Sequence, residues 1–449
     1  MTELVMKYQQ YDEYKDSGVE WLGEIPKDWE VVPIKHLAIL NPKKYTLSQD
    51  LMSDECSFVP MEKLKFNSLV LDEKKVIKDV YDGYTYFENE DILVAKVTPC
   101  FENNNTTIAK DLINGVGFGS SEIFVLRVNN KVNNRYLFYR LLETIFISVA
   151  TAAMTGAGGL RRVPAETINT YSIAVPNIDE QTQIANFLDH ETAQIDTLIE
   201  KQQTLIKLLK EKRQAVISHA VTKSLNPDEP MKDSGVEWLG DVPEHWTVKR
   251  LKYISPKVGV GLVINPSTYT QDEGVYFIFG GDVKEFSFDL TKTRRISQKN
   301  SDILKSSQLH HRDLVSIRVG YPGVTAVVTE ELEGANCASI IIIRRGQFNS
   351  DWLCAAMNIW VGKQQVNNAS YGAAQKQFNV SDAIEFIFPV PPESEQNDIA
   401  VYVEESLKKF DELSNKAQLQ IELLRERRTA LISAAVTGKI DVRGWRVPD

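Results

Sequence analysis

Residues 179–222 read DEQTQIANFLDHETAQIDTLIEKQQTLIKLLKEKRQAVISHAVT, with neither glycine nor proline. Good helix formers dominate, so propensity predicts one long helix. Apolar residues recur at helical spacing: Ile195, Leu198, Leu205, Leu209 and Val216 form a stripe that Ile199, Ile206 and Ile217 widen. About 40 residues at about 1.5 Å each make a rod on the order of 60 Å long. The stretch then returns. From residue 395 the chain reads EQNDIAVYVEESLKKFDELSNKAQLQIELLRERRTALISAAVT. Gln181 matches Gln396, Asp196 matches Asp411 and Leu209 matches Leu424, always 215 positions apart (396 − 181). Each predicted helix follows a block of roughly 160 residues, the size of one compact domain. The chain is one plan written twice, a domain followed by a rod.

The blocks carry the same plan. Residues 16–37, DSGVEWLGEIPKDWEVVPIKHL, return at 233–254 as DSGVEWLGDVPEHWTVKRLKYI. Glycine and proline punctuate turns there, and Trp29 and Trp246 stand at strand starts. These tryptophans are expected to anchor the segment against its own domain. Phe58-Val59 and Phe277-Ile278 begin matching strands, and DILVAK from 91 matches DLVSIR from 313. Residues 123–128 and 340–343 are further strands, each followed by a helical stretch, 136–153 and 352–366. Each block closes on an extended run into prolines, SIAVP and FIFPVPP. Scaffold repeats and loops differ, and loops are where recognition usually sits. The expected layout is a first domain over 1–178, a helix over 179–223, a polar linker and second domain over 224–392, a second helix over 393–437 and a tail over 438–449.

Charge at first argues against nucleic acid. The 449 residues carry a net charge of −10, and a basic footprint is the usual mark of a DNA-binding protein. Taken alone, the balance favours protein partners, unless positive loops are segregated on one face. No run is apolar enough to span a membrane and the N-terminus lacks a signal pattern, so a soluble cytoplasmic chain with no membrane role is expected. Cys56, Cys100, Cys337 and Cys354 are scattered without a CxxC pair, so reduced thiols and no metal site are expected.

Catalytic motifs fail one by one. Ser433 stands where a phosphate loop ending in Gly438-Lys439 needs its first glycine. Gly115-Val-Gly117-Phe-Gly119 is followed by Ser120 where a dinucleotide site needs its last glycine and lacks the later acid, so it reads as a tight turn. Asn41-Pro42-Lys43-Lys44 lacks the second proline and aromatic of an amino-methyltransferase motif. His310-His311 has no carboxylate cluster and reads as a polar loop. No enzyme is assembled.

The duplicated DSGVEWLG…P…W segment, the proline-then-EQ start of each helix, and the helix ends AVISHAVT and ALISAAVTGKIDVRGW resemble the specificity subunit of type I restriction-modification systems. The resemblance covers essentially the whole chain. It implies an α+β fold: two mixed α/β target recognition domains, each followed by a long helix, the helices pairing as an antiparallel coiled-coil spacer. It implies a non-catalytic subunit whose domains each read half of a bipartite site in double-stranded DNA. Two modification (methyltransferase) subunits dock on the helices in that family, and restriction (nuclease-translocase) subunits join through them. No cofactor belongs to the chain itself; S-adenosylmethionine sits on the methyltransferase.

Glycines let backbone approach phosphate, and Arg and Gln suit the G and A edges of the major groove. On that basis the first block offers Lys43, Lys44, Lys96, Asn103, Asn104, Asn105 and the loop GAGGLRR, with Gly156, Gly158, Gly159, Arg161 and Arg162. The second offers Lys292, Arg294, Arg295, His310, His311, Arg312, Arg318, Tyr321 and the loop GAAQKQ, with Gly372, Gln375, Lys376 and Gln377. Two rivals remain open: a coiled-coil scaffold that never touches DNA, and a self-sufficient nuclease or methyltransferase.

Overall fold

A computed structural model describes residues 8–157, 159–263, 268–371 and 376–447. Its contacts divide the chain into two units, Met1–Gln202 with Leu419–Asp449, and Gln203–Gln418. The fold is α+β. Two long helices, α1 (Ile178–Lys223) and α2 (Glu393–Val436), stand out from a set of short strands and helices. Each stops at a residue with positive φ, Ser224 after α1 and Gly438 after α2, the backbone state that closes a helix C-terminus.

The side of α1 turned away from water differs in detail from the expected stripe. Sheltered positions fall at Leu188, Thr192, Ile195, Ile199, Gln202, Ile206, Leu209, Arg213 and Val216, alternating steps of four and three. The same positions 215 further on are sheltered in α2, from Val403 to Leu431. Leu198 and Leu205 are exposed instead, because a seam that alternates four and three follows a period of 3.5 and passes them by. Arg428 of α2 meets Asp196 of α1 at 2.6 Å within the first unit. Arg213 of α1 meets Asp411 of α2 at 4.0 Å within the second.

The domain of the first unit has a four-stranded antiparallel sheet in the order Thr106–Ile108, Ile92–Ala95, Ile123–Val128, Ala38–Leu40. A second sheet orders Lys74–Val76, Glu55–Val59, Val116–Gly119, Thr85–Glu88, with its middle pair parallel. The second unit repeats the first sheet as Thr325–Val327, Leu314–Ile317, Ile340–Ile343, Val258–Val260. It also repeats the parallel pair, Val275–Ile278 beside Asn336–Cys337. Phe58 and Phe277 close these matched strands rather than open them.

Two further sequence expectations change. Each helical stretch after the long strand is two helices: Asn134–Leu141 then Thr144–Ala152, and Ser350–Asn358 then Trp360–Ala369. The second break is forced where Gly362 lies so close to the preceding turn that a Cβ would meet the Met357 carbonyl at 2.2 Å. The glycine-rich run at 115–119 turns only at Gly115; residues 116–119 are a buried strand. A Cβ on Gly117 would stand 2.2 Å from the Phe87 ring, so packing, not turning, requires that glycine.

The repeated tryptophans and the EQ pair at each helix start belong to one device. Glu180, in the first turn of α1, accepts hydrogen bonds from the Tyr11 hydroxyl (2.7 Å) and the buried Trp29 indole (3.1 Å). Glu395, its copy in α2, accepts from Trp246 (2.9 Å) and Ser224 (2.6 Å) and contacts His245. Beside them Gln181 donates to the Pro176 carbonyl and accepts from Asn133 N–H, while Gln396 does the same with Pro391 and Asn349. Asn133 and Asn349 in turn cap Asn134–Leu141 and Ser350–Asn358. A helix N-terminus also favours a carboxylate through its dipole. Two residues thus fix the rod to the tryptophan segment and to the domain's central helix.

Burial pushes the Glu395 carboxyl up, but the bonds from Ser224, His245 and Trp246 outweigh it and hold the group below the ordinary carboxylate value. Its stabilisation is therefore present above the unfolded pKa of about 4.3 and is lost as pH falls through the lower folded value. Glu395→Ala leaves the buried Trp246 indole unpaired and should cost about 1–3 kcal/mol in urea unfolding at pH 7. Glu395→Gln should flatten the loss of stability below pH 5. A parent-like pH slope in that variant would remove Glu395 from this role.

Candidate nucleic-acid interface

In the first unit the candidates gather at one end of the central strand. Ile92–Ala95 runs on into Lys96, whose amide donates to Glu122 and whose carbonyl accepts from Val163 (2.9 Å). Val97 forms a β-bridge to Arg162. The Thr98 amide and hydroxyl both bond the Arg161 carbonyl, and the hydroxyl accepts from the Arg161 amide (2.8 Å). The Thr98-Pro99 bond is cis and leads into a tight turn holding Asn103, Asn104 and Asn105. The hairpin Thr155–Ala157 with Leu160–Arg162 is exposed throughout. Gly156, at φ 136°, has the Leu160 carbonyl 2.4 Å from where a Cβ would stand, so no other residue fits that crossing without a shift. Gly159 also has positive φ; Gly158 lies outside the described residues.

Both hairpin arginines are already paired. Arg161 reaches Glu102 at 3.0 Å, and Arg162 grips Glu122 through Nε and Nη2, each at 2.9 Å. The Arg162 guanidinium holds the Glu122 carboxyl below the usual range. Arg162 thus keeps Nη1 free of that fork, on a guanidinium whose plane the carboxylate fixes.

Lys43 and Lys44 follow the edge strand Ala38–Leu40 of the same sheet, whose Leu40 pairs with Leu126. They border a cleft of about 540 Å³ lined also by Tyr45, Tyr81, Tyr84 and Tyr86. The Lys44 ammonium lies 4.5 Å from the Tyr81 ring centre and donates to the Tyr81 carbonyl. The tyrosines were not among the sequence candidates. Their signal was the run YDGYTY at 81–86, aromatics interleaved with a turn. Thr98, Glu102 and Glu122 carried no signal, because their part depends on strand pairing.

The second unit repeats the arrangement with other side chains. Leu314–Ile317 runs into Arg318, which donates to the Phe378 carbonyl (3.2 Å) and Asn379 (3.1 Å). Val319 bridges to Gln377 as Val97 does to Arg162, and the Gly320 amide bonds the Lys376 carbonyl (3.1 Å). Tyr321 projects from this loop, 81% exposed. Gly372 and Gln375 lie outside the described residues.

The other second-block candidates stand apart. His310, His311 and Arg312 precede Leu314–Ile317 and Arg318 follows it, so a four-residue strand about 13 Å long lies between them. His310 and the His311 amide both bond Glu333, and Arg312 pairs with Asp351. Arg294 and Arg295 lie in the other sheet, over Phe279 (4.8 Å) and Tyr276 (4.0 Å), with exposed Lys292 nearby in sequence. Among the described residues no group of three His, Cys, Asp or Glu side chains is placed to hold a metal ion, and no helix is long and apolar enough to cross a membrane.

Two α+β domains, each joined to one long helix and built around matching loop clusters, define the class. Residues 26–208 match the family described as type I restriction modification DNA specificity domain. The chain is similar to type I restriction enzyme specificity subunits. It is 35% identical over 196 residues to the EcoAI specificity subunit of Escherichia coli, a match covering 41% of this chain and 33% of that one. A second match, to the EcoEI specificity subunit, likewise spans about a third of its relative, 31%. The putative MjaX specificity subunit of Methanocaldococcus jannaschii aligns over 98% of this chain and all of its own length at 23% identity. Among solved structures, a chain of a type I R-M system superposes with TM-score 0.73 at 14% identity, covering 92% of this chain and 98% of that one. The HsdS subunit of Thermoanaerobacter tengcongensis gives 0.55 at 15%, covering 93% and 98%. These two share the fold.

Gly156→Ala should lower unfolding free energy by about 1–3 kcal/mol through strain at the crossing. Glu122→Gln, which loosens an exposed pair, should change it by less than about 1 kcal/mol. Urea titrations decide, and equal effects would mean the hairpin geometry is not what Gly156 supports.

Proposed function

We propose that this chain is the sequence-specific DNA-binding subunit of a type I restriction-modification complex. Each domain reads one half of an asymmetric bipartite target. Helices α1 and α2 pair antiparallel as a coiled-coil spacer that sets the distance between half-sites and docks two methyltransferase subunits; nuclease-translocase subunits join through those. The chain performs no chemistry itself, S-adenosylmethionine belongs to the methyltransferase, and the complex works in the cytoplasm.

One observation carries this reading. Each domain presents, at the same end of the same strand, a turn after the strand and a segment preceding the last strand, joined by the same bridge. The scaffold is common to both and the side chains on it differ: Lys96, Arg161 and Arg162 in one, Arg318, Tyr321, Lys376 and Gln377 in the other. Two readers of one geometry and two chemistries suit a target whose halves differ in sequence. The seam positions repeated at 215 and the ion pairs between α1 and α2 inside each unit support the spacer. Duplex DNA has local two-fold symmetry, which a duplicated chain can match. Lys43, Lys44 and the asparagines 103–105 are proposed as further DNA contacts of the first domain, and Lys292, Arg294, Arg295 and His310 to Arg312 as further contacts of the second.

Methylome sequencing of cells expressing the chain with its methyltransferase tests the whole reading, because the methylated motif reports both half-sites. Exchange of residues 233–392 for the block of a relative should change one half-site and leave the other intact. Change in both, or in neither, contradicts independent reading. Arg161→Ala and Arg162→Ala separate two kinds of contact. Loss of a base contact should cost about 1–3 kcal/mol and relax one position of the first half-site. Loss of a phosphate contact should weaken all sequences alike and flatten the salt dependence by about one charge. If affinity, specificity and salt slope of the assembled methyltransferase match the parent in both variants, this hairpin is not on the DNA.

A further inference from the structure

We propose that Arg213 and Arg428 are positioning residues that lock the register of the spacer helices and tie each recognition domain to it; this rests on the proposed role of α1 and α2 as a spacer. The two arginines are copies of one another (428 − 213 = 215), and so are their partners Asp196 and Asp411 (411 − 196 = 215). In each unit the arginine of one helix meets the aspartate of the other, at 2.6 Å for Arg428–Asp196 and 4.0 Å for Arg213–Asp411. Each arginine also lies over a phenylalanine at the tip of a domain hairpin. Arg428 stands 4.4 Å from Phe66, between strands Leu64–Lys65 and Ser68–Leu69. Arg213 stands 5.7 Å from Phe286, between Val283–Lys284 and Ser287–Phe288. The hairpins are anchored alike, the amides of Asn67 and Phe286 donating to the carbonyls of Thr106 and Thr325. One guanidinium per unit therefore touches both helices and the domain.

The seam shows why such a lock is needed. Its apolar positions repeat every seven residues, so sliding one helix by a heptad returns apolar side chains opposite apolar side chains. That slide moves the helices by about 10 Å, close to three base pairs at about 3.4 Å each. Apolar packing alone discriminates poorly between these registers. Arg213 and Arg428 occupy seam positions, each about one-fifth exposed; a heptad slip one way sets them against Gln418 and Gln203 in place of the aspartates, while the opposite slip, which brings Glu404 and Asp189 to them, is left to the contacts with Phe286 and Phe66. A charged group at a seam position specifies register because wrong pairings leave it uncompensated. Arg213 Nε is buried without a hydrogen-bond partner, so its charge depends on the single contact through Nη1 and on the Phe286 face.

Charge reversal in the full chain, expressed with its methyltransferase, tests the lock. Arg213→Glu should lower methylation of the parental motif about tenfold, leave both half-site sequences unchanged and yield motifs with an altered spacer. Arg213→Glu combined with Asp411→Arg should restore the parental spacer and level, which a loss of general stability would not. The Arg428→Glu and Asp196→Arg pair should behave alike. A parental spacer and level in the single reversal, or no restoration in the double, overturns the proposal. Should the parent methylate no bipartite motif, the spacer reading fails separately. The lock is then judged by unfolding midpoints: restoration by the double reversal supports it, and none overturns it.

Discussion

The architecture depends on two side chains in the first turn of each long helix. A rod that shelters only one face cannot stand alone, because most helical stability in proteins comes from tertiary packing of that face. Glu180 and Glu395 supply the acceptor for a buried indole, and Gln181 and Gln396 clamp the asparagine that caps the domain's central helix. Tyrosine or serine adds a further donor to each carboxylate. Because these are buried polar contacts, omitting one strands its partner without water. The junction is thus specified by geometry as well as by burial, and the domain's strand ends inherit their placement from it.

That placement produces a site made by backbone. The hairpin of the first unit sits where it does because Val97 and Thr98 pair with Arg161 and Arg162, and the loop of the second because Val319 and Gly320 pair with Lys376 and Gln377. Side chains can then be exchanged without moving the frame. The acidic balance of the chain reaches this site directly, as Glu102 and Glu122 occupy the two arginines. On the proposed reading, a phosphate approaching Arg161 or Arg162 would compete with a carboxylate, which would limit the pull on arbitrary DNA.

Much of this was legible in the sequence. Absence of glycine and proline, with an unbroken offset of 215, marked both helices, and β-rich apolar runs matched between the blocks marked the strands at 92–95, 123–128 and 340–343. The seam was misread at Leu198 and Leu205, since a single helix scored at a period of 3.6 cannot reveal a partner that favours 3.5. Gly117 was misread as a turn because its reason is the Phe87 ring, thirty residues away in sequence. In the candidate loop clusters, the matching places of Arg161-Arg162 and Lys376-Gln377 were legible from the repeat. Glu102, Glu122 and Thr98 were not, as only strand pairing brings them there. His310 to Arg312 looked equivalent to Arg318 by composition, yet they stand at the opposite end of one strand.

Site-specific photo-cross-linking tests the central claim most directly. A photoreactive group on Leu160→Cys and, in a separate chain, on Lys376→Cys would be carried into the assembled methyltransferase bound to its own methylated motif. The expected result is cross-linking from position 160 to one half-site only and from position 376 to the other only. Cross-links from both positions to the same half-site, or from neither to any DNA, would contradict a chain that reads two half-sites with two domains.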